Sequence, residues 1–343
     1  MEEHFMKRCL QLAGLGMGNT APNPLVGAVL VYNERIIGEG YHEHYGQGHG
    51  EVNCLNSVKE EDRKLIPQST MYVSLEPCSH FGKTPPCADL LIKMKVKEVV
   101  VGCVDINEEV AGRGIKRMQD AGIEVQSGIL EPECRELNKR FFTFHEKKRP
   151  FIILKWAQSL DGFIGSGTEE RIFLSNQYTN RLVHKWRSEE ASILVGTNTA
   201  LQDDPVLTTR LWPGKNPKRI LLDRNLVVPE THRIFRDKAY TIIFNDQKNE
   251  ERNNIVYIKN NQPHSLKSIL HSLWEMNVQS ILVEGGAKTL QSFIDEEYWD
   301  EARVIVNEEL QIGKGVKAPL LSGAILQKQE NYFNDLISYY TRS

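Results

Sequence analysis

His49-Gly50-Glu51-Val52 opens a predicted helix, and Leu75-Glu76-Pro77-Cys78-Ser79-His80-Phe81-Gly82-Lys83-Thr84-Pro85-Pro86-Cys87 leads from a predicted strand into another predicted helix. One imidazole and two thiolates hold Zn²⁺ while leaving its fourth tetrahedral position to water, which distinguishes a catalytic zinc site from a closed structural one. A carboxylate two residues beyond the ligand histidine stands where zinc base deaminases keep their proton-transfer glutamate. His49, Cys78 and Cys87 are therefore the candidate metal ligands, and Glu51 the candidate general acid and base. Taken singly, each of these residues fits a structural role better. Their ordered combination reverses that balance, although eight residues separate the cysteines and the usual Cys-x-x-Cys closure is absent.

Outward from these segments, β-rich runs at residues 26–32, 71–75, 96–101 and 123–125 alternate with helical spacing at 4–16, 49–59, 88–95 and 114–121. Such alternation predicts an α/β domain over residues 1–146, closed by Glu146-Lys147-Lys148-Arg149-Pro150. A second α/β series fills 150–343, with strands at 151–156, 193–195, 219–222, 240–244, 280–283 and 303–306 and helices at 176–190, 265–276 and 287–295. A chain of 343 residues holds two cores at roughly 100 to 200 residues per domain.

Composition narrows the partners. A net charge of −3 argues against a broad nucleic-acid footprint and leaves room for a local basic pocket that takes a phosphorylated small molecule. The start Met1-Glu2-Glu3-His4-Phe5-Met6-Lys7 has no basic n-region leading into an apolar stretch, and no run approaches a membrane span. The expectation is a cytoplasmic protein whose six cysteines stay thiols.

Three segments together, Pro22-Asn23-Pro24-Leu25-Val26-Gly27-Ala28-Val29, the histidine-glutamate segment and the long run between the cysteines, resemble the bifunctional deaminase/reductases of riboflavin biosynthesis. Val110-Ala111-Gly112-Arg113-Gly114, Lys155-Trp156-Ala157-Gln158-Ser159-Leu160-Asp161-Gly162, Gly196-Thr197 through Asp203-Asp204-Pro205, and Val283-Glu284-Gly285-Gly286 extend the resemblance over nearly the whole chain. It implies a cytidine-deaminase-like domain followed by a dihydrofolate-reductase-like domain. It also implies one zinc ion and hydrolytic deamination of a diamino-ribosylamino-pyrimidinone 5'-phosphate, with Asn23 at the pyrimidine ring and His80 and Lys83 near the ribose phosphate.

By the same resemblance the second domain reduces the ribosyl group to ribityl with NADPH. Ala157, Thr199, Asp203, Gly285 and Gly286 fall at the cofactor, and Arg187, Leu207, Arg210 and Glu284 at the ribosyl-phosphate substrate. Lys155, at the end of the domain's first predicted strand, and Arg224, set against a cofactor 2'-phosphate, are further candidates. No Rossmann glycine pattern supports nucleotide binding independently. Two departures from the family stand out: Gly50 replaces the usual alanine, and the 168–175 segment carries Glu170 and Ile172 where a small polar residue and a tryptophan are usual. Two alternatives remain open at this point, a deaminase of another nucleoside or nucleic-acid base and a structural zinc module completed by His80 or His42. The resemblance also implies a homo-oligomer.

Overall fold

The computed structural model describes residues 2–80, 85–106, 111–167, 172–236, 239–260 and 265–343. Lys83, Val110 and Glu170 lie outside these ranges. The chain divides into two compact units, Met1–Lys147 and Lys148–Ser343.

The first unit runs α1 (Glu2–Gly14), β1 (Gly27–Tyr32), β2 (Arg35–Tyr41), α2 (Gly50–Ser57), β3 (Thr70–Leu75), α3 (Cys87–Lys93), β4 (Glu98–Cys103), α4 (Arg113–Asp120), β5 (Glu124–Ser127), α5 (Glu131–Leu137) and α6 (Lys139–Glu146). Its sheet has the order β2-β1-β3-β4-β5. β1 is antiparallel to both neighbours, whereas β3, β4 and β5 are parallel. Successive strand residues serve opposite faces. Ala28, Leu30, Met71, Val73, Val99 and Val101 pack against Cys54, Leu55, Ala88, Leu91 and Met118 of α2, α3 and α4. The intervening Val29, Val31, Tyr72 and Val100 pack against Phe5, Met6, Cys9 and Leu12 of α1, Cys134 of α5 and Phe142 of α6. Both faces are covered, giving a three-layer α/β/α sandwich.

The second unit begins with β6 (Phe151–Ser159), β7 (Phe163–Gly165), α7 (Gln177–Glu189), β8 (Ser192–Gly196), α8 (Thr197–Asp203), β9 (Lys218–Leu222), α9 (Arg233–Arg236) and β10 (Thr241–Asn245). It continues through β11 (Glu250–Arg252), β12 (Ile255–Lys259), α10 (Leu266–Glu275), β13 (Ser280–Val283), α11 (Ala287–Asp295), β14 (Glu301–Asn307), β15 (Val316–Lys317), β16 (Ala324–Tyr332) and β17 (Asp335–Arg342). One ten-stranded sheet has the order β11-β12-β10-β9-β8-β13-β6-β14-β17-β16. β12 through β14 in that order are parallel, and antiparallel strands close both edges. α10 and α11 cover one face through Leu270, Leu273, Leu290 and Phe293. Val183 and Trp186 of α7 join Ile153, Leu282 and Ile305 in a separate apolar cluster. Parallel order brings the carboxyl ends of β6, β8 and β13 to one edge, the place where open α/β sheets bind ligands.

Candidate functional site

His49 is the N-cap residue of α2, extended at φ −72° and ψ 169°. Glu51 sits in the first turn of that helix and is only 2% exposed. Cys78 follows the end of β3, and Cys87 is the first residue of α3. One donor atom from each of the three ligand candidates lies within 4.8 Å of the others. His49 Nδ1 is 3.5 Å from Cys78 Sγ and 3.4 Å from Cys87 Sγ. The Cys87 backbone N–H donates to Cys78 Sγ at 3.3 Å. Hydrogen bonding from the Cys87 thiol, and then from His49, draws the Cys78 thiol down to about 4, and the same sulfur contact with burial pushes Cys87 up.

Burial, and next the charge of Cys78, push the Glu51 carboxyl up to about 7. Its Oε2 is buried with no hydrogen-bond partner among the described residues. These observations test whether a zinc ion fits. Imidazole and thiolate are zinc's preferred ligands, and an orphaned buried carboxylate oxygen requires a donor that none of the described residues supplies. The residues fit a zinc ion with a water beside Glu51.

Asn23 Nδ2 is 3.1 Å from His42 Nε2, and His42 Nδ1 is 3.0 Å from the Gly48 carbonyl. A carbonyl only accepts, so His42 donates from Nδ1 and receives the Asn23 amide N–H at Nε2. Both nitrogens are thereby engaged, which removes His42 as a fourth zinc ligand and leaves Asn23 Oδ1 in a fixed orientation. His80 Nδ1 is buried without a partner among the described residues, and His80 is not part of the metal-competent group. At Gly50 an added Cβ would stand 2.8 Å from the Val26 carbonyl oxygen, so the departure from alanine matches a close backbone approach at the start of α2.

Glu76, two residues before Cys78, escaped the sequence reading. It is 3% exposed and accepts four backbone N–H groups, from Asp105 at 3.2 Å, Gly112 at 2.9 Å, Gly114 at 2.9 Å and Ile115 at 3.1 Å. Arg117 of α4 reaches the Ser79 carbonyl at 3.3 Å and pairs with Asp89 of α3 at 2.7 Å. The start of α4 is therefore fastened to both cysteine-bearing segments.

In the second unit, Arg187 binds Glu284 through both oxygens, at 2.7 and 2.8 Å, and Lys155 Nζ lies 3.5 Å from the same carboxylate. β6 extends to Ser159, so Lys155 is in mid-strand and not at a strand end. Burial alone would raise the Glu284 carboxyl, but the Arg187 and Lys155 charges and hydrogen bonds outweigh it and hold the group at about 2. Leu207 is buried, while Arg210 is exposed and donates from Nη1 to Thr208 Oγ1 at 3.3 Å.

Of the cofactor candidates, Gly285 and Gly286 directly follow Glu284 in the chain and approach β8 and α8. Gly285 lies so close to β8 that a Cβ would be 2.6 Å from Val195 Cα, and a Cβ on Gly286, whose φ is +59°, would be 3.0 Å from Thr199 Oγ1. Thr199 and Asp203, four residues apart on α8, share a helix face. Ala157 lies beyond the β6 residues that pair with β13, toward the same carboxyl edge. Arg224 is ion-paired to Asp246 on the surface.

A zinc-competent His/Cys/Cys group in an α/β/α layer, followed by a dihydrofolate-reductase-like unit, defines a two-domain deaminase/reductase. Residues 1–103 match the cytidine and deoxycytidylate deaminase zinc-binding region, and residues 150–327 match the RibD C-terminal domain. The chain is 39% identical to the riboflavin biosynthesis protein RibD of Aquifex aeolicus over 100% of its length and 99% of that protein's. It is 35% identical to RibD of Escherichia coli, covering 90% of this chain and 88% of the other. A solved diaminohydroxyphosphoribosylaminopyrimidine deaminase/5-amino-6-(5-phosphoribosylamino)uracil reductase from Thermotoga maritima superposes with a TM-score of 0.91 at 36% identity, covering 100% of this chain and 99% of that one. The chain belongs to the RibD family of bifunctional riboflavin-biosynthesis enzymes.

Proposed function

We propose that residues 1–146 hydrolytically deaminate 2,5-diamino-6-(5-phosphoribosylamino)pyrimidin-4-one and that residues 150–343 reduce the ribosyl group of the resulting aminouracil to ribityl with NADPH. The observation that carries the first step is the convergence of His49, Cys78 and Cys87 beside the buried Glu51. These three residues would hold zinc, which supplies a Lewis acid able to make a water acidic near neutral pH. Glu51 takes one proton from the attacking water and gives it to the ring nitrogen as the C–O bond forms; it then takes the second proton, from the hydroxyl now on the ring carbon, and gives it to the amine, which leaves as ammonia as the C–N bond breaks. Asn23, oriented by His42, supplies hydrogen bonds to the pyrimidine ring. His80 and Lys83 take the ribose-phosphate end.

In the reductase, Arg187, Leu207, Arg210 and Glu284 bind the ribosyl phosphate, and Ala157, Thr199, Asp203, Gly285 and Gly286 bind NADPH. The glycines open α11, where free backbone N–H groups suit phosphate oxygens. Arginine's planar fork suits the substrate phosphate.

The test supplies the zinc-loaded protein with the diaminopyrimidinone, with and without NADPH, and follows product masses. Exchange of amino for oxo without cofactor, followed by gain of two hydrogens only with NADPH, is the expected result. Deamination without reduction would refute the assignment of the second domain.

A further inference from the structure

His184 lies on α7, three residues before Arg187 and so on the same face, and is only 1% exposed. Its Nδ1 is 2.9 Å from the backbone nitrogen of Arg210, a group that can only donate. The imidazole is therefore neutral, with its proton on Nε2. One turn further along the helix, Arg187 Nη1 donates to the Thr208 carbonyl at 3.3 Å while its other nitrogens grip Glu284. The 207–210 segment is thus held to α7 at two points. It begins with Leu207 in the left-handed region at φ +55°, a conformation that a leucine keeps only where its surroundings impose it.

We infer that His184 is a positioning residue of the reductase, anchoring the Arg210 backbone to α7 so that Arg210 and Arg187 act on one substrate from fixed places. Burial, followed by the nearby Arg187 and Arg210 charges, holds the imidazole down at about 4, so it remains a hydrogen-bond acceptor across the physiological range. The inference rests on the reading of Arg187 and Arg210 as substrate contacts.

The experiment compares His184→Leu, His184→Asn and Arg210→Ala in the full-length protein. Leucine and asparagine are nearly isosteric, and only asparagine carries an acceptor for the Arg210 N–H. Reductase kcat and KM for the aminouracil substrate are measured with NADPH, together with NADPH affinity as the check that the domain is folded. Loss of one hydrogen bond that orders the substrate segment should raise KM about tenfold in His184→Leu. His184→Asn should recover most of that loss, with NADPH affinity unchanged in both. Equal KM values for the two histidine variants, or loss of NADPH binding in His184→Asn, would show a packing residue and overturn the proposal. An Arg210→Ala protein with the parent's KM would instead remove the substrate reading and the proposal with it.

Discussion

At the scale of single residues, each of the two proposed sites holds a buried carboxylate, and the two are kept in opposite states. Glu51 is pushed up to about 7 by burial and by the neighbouring thiolate, so it can carry a proton near neutrality. Glutamine keeps its shape and cannot exchange a proton. Glu51→Gln should therefore cut deaminase kcat by at least about a hundredfold with zinc content and reductase rate unchanged. Equal loss of zinc and activity would make Glu51 a structural residue. Glu284 is held at about 2, below its ordinary 4.5. Because the folded value is the lower one, its stabilisation is complete above pH 4.5 and is lost as the pH falls towards 2. Glu284→Gln leaves Lys155 and Arg187 buried without their counter-charge, which should cost about 3–5 kcal/mol at neutral pH. The variant should also lose that part of the acid-unfolding limb, measured by urea unfolding at a series of pH values. An acid limb unchanged by the substitution would contradict the pairing.

At the scale of elements, Glu76 replaces a helix cap and a loop clasp in one side chain. Glu76→Gln presents an amide NH₂ to N–H donors and leaves at least one of them unpaired, at about 1–3 kcal/mol for each buried group. Zinc titration against a competing chelator should show weaker binding and a lower deaminase melting temperature, with the reductase unaffected; unchanged zinc affinity would separate the clasp from the metal site. Most of the apolar strands and helices are legible in the sequence, but not all: α6 with its buried Phe141, Phe142 and Phe144, β12 with Tyr257 and β17 with Ile337 lie outside the predicted elements. β2 is not among the predicted strands, and Gly38 and Gly40 weaken its pattern; in the fold a Cβ at these positions would stand 2.7 and 2.2 Å from the Cys54 backbone, so the glycines admit α2 against the strand. β16 was hidden by its polar Lys328-Gln329-Glu330-Asn331, which lie on the exposed edge strand of the sheet. The zinc group was legible because its histidine and cysteines keep a recognisable order. Lys155, Arg187 and Glu284 are brought together by parallel pairing of β6 and β13 and by α7, and strand order leaves no local trace in a sequence. His184 was within reach, since it stands one helical turn from the arginine already singled out.

At the scale of the whole molecule, the residues proposed for the two chemistries fall in separate units. His49, Glu51, Cys78 and Cys87 belong to the Met1–Lys147 unit, and Lys155, Arg187, Arg210 and Glu284 to the Lys148–Ser343 unit. Each unit has its own sheet and its own buried clusters, so neither needs the other's core to bury its apolar surface. Zinc stabilises only the state that gathers its three ligands, by RT ln(1 + [Zn]/Kd), about 4 kcal/mol at a thousand times Kd. Removing the metal should therefore lower one calorimetric transition and leave the other in place. Deamination should vanish with the metal, while the aminouracil substrate is still reduced at the parent rate with NADPH. Restoring zinc should return both the transition and the first activity. A single transition that shifts as a whole, or a reductase that fails with the metal, would mean that the zinc site also stabilises the second unit.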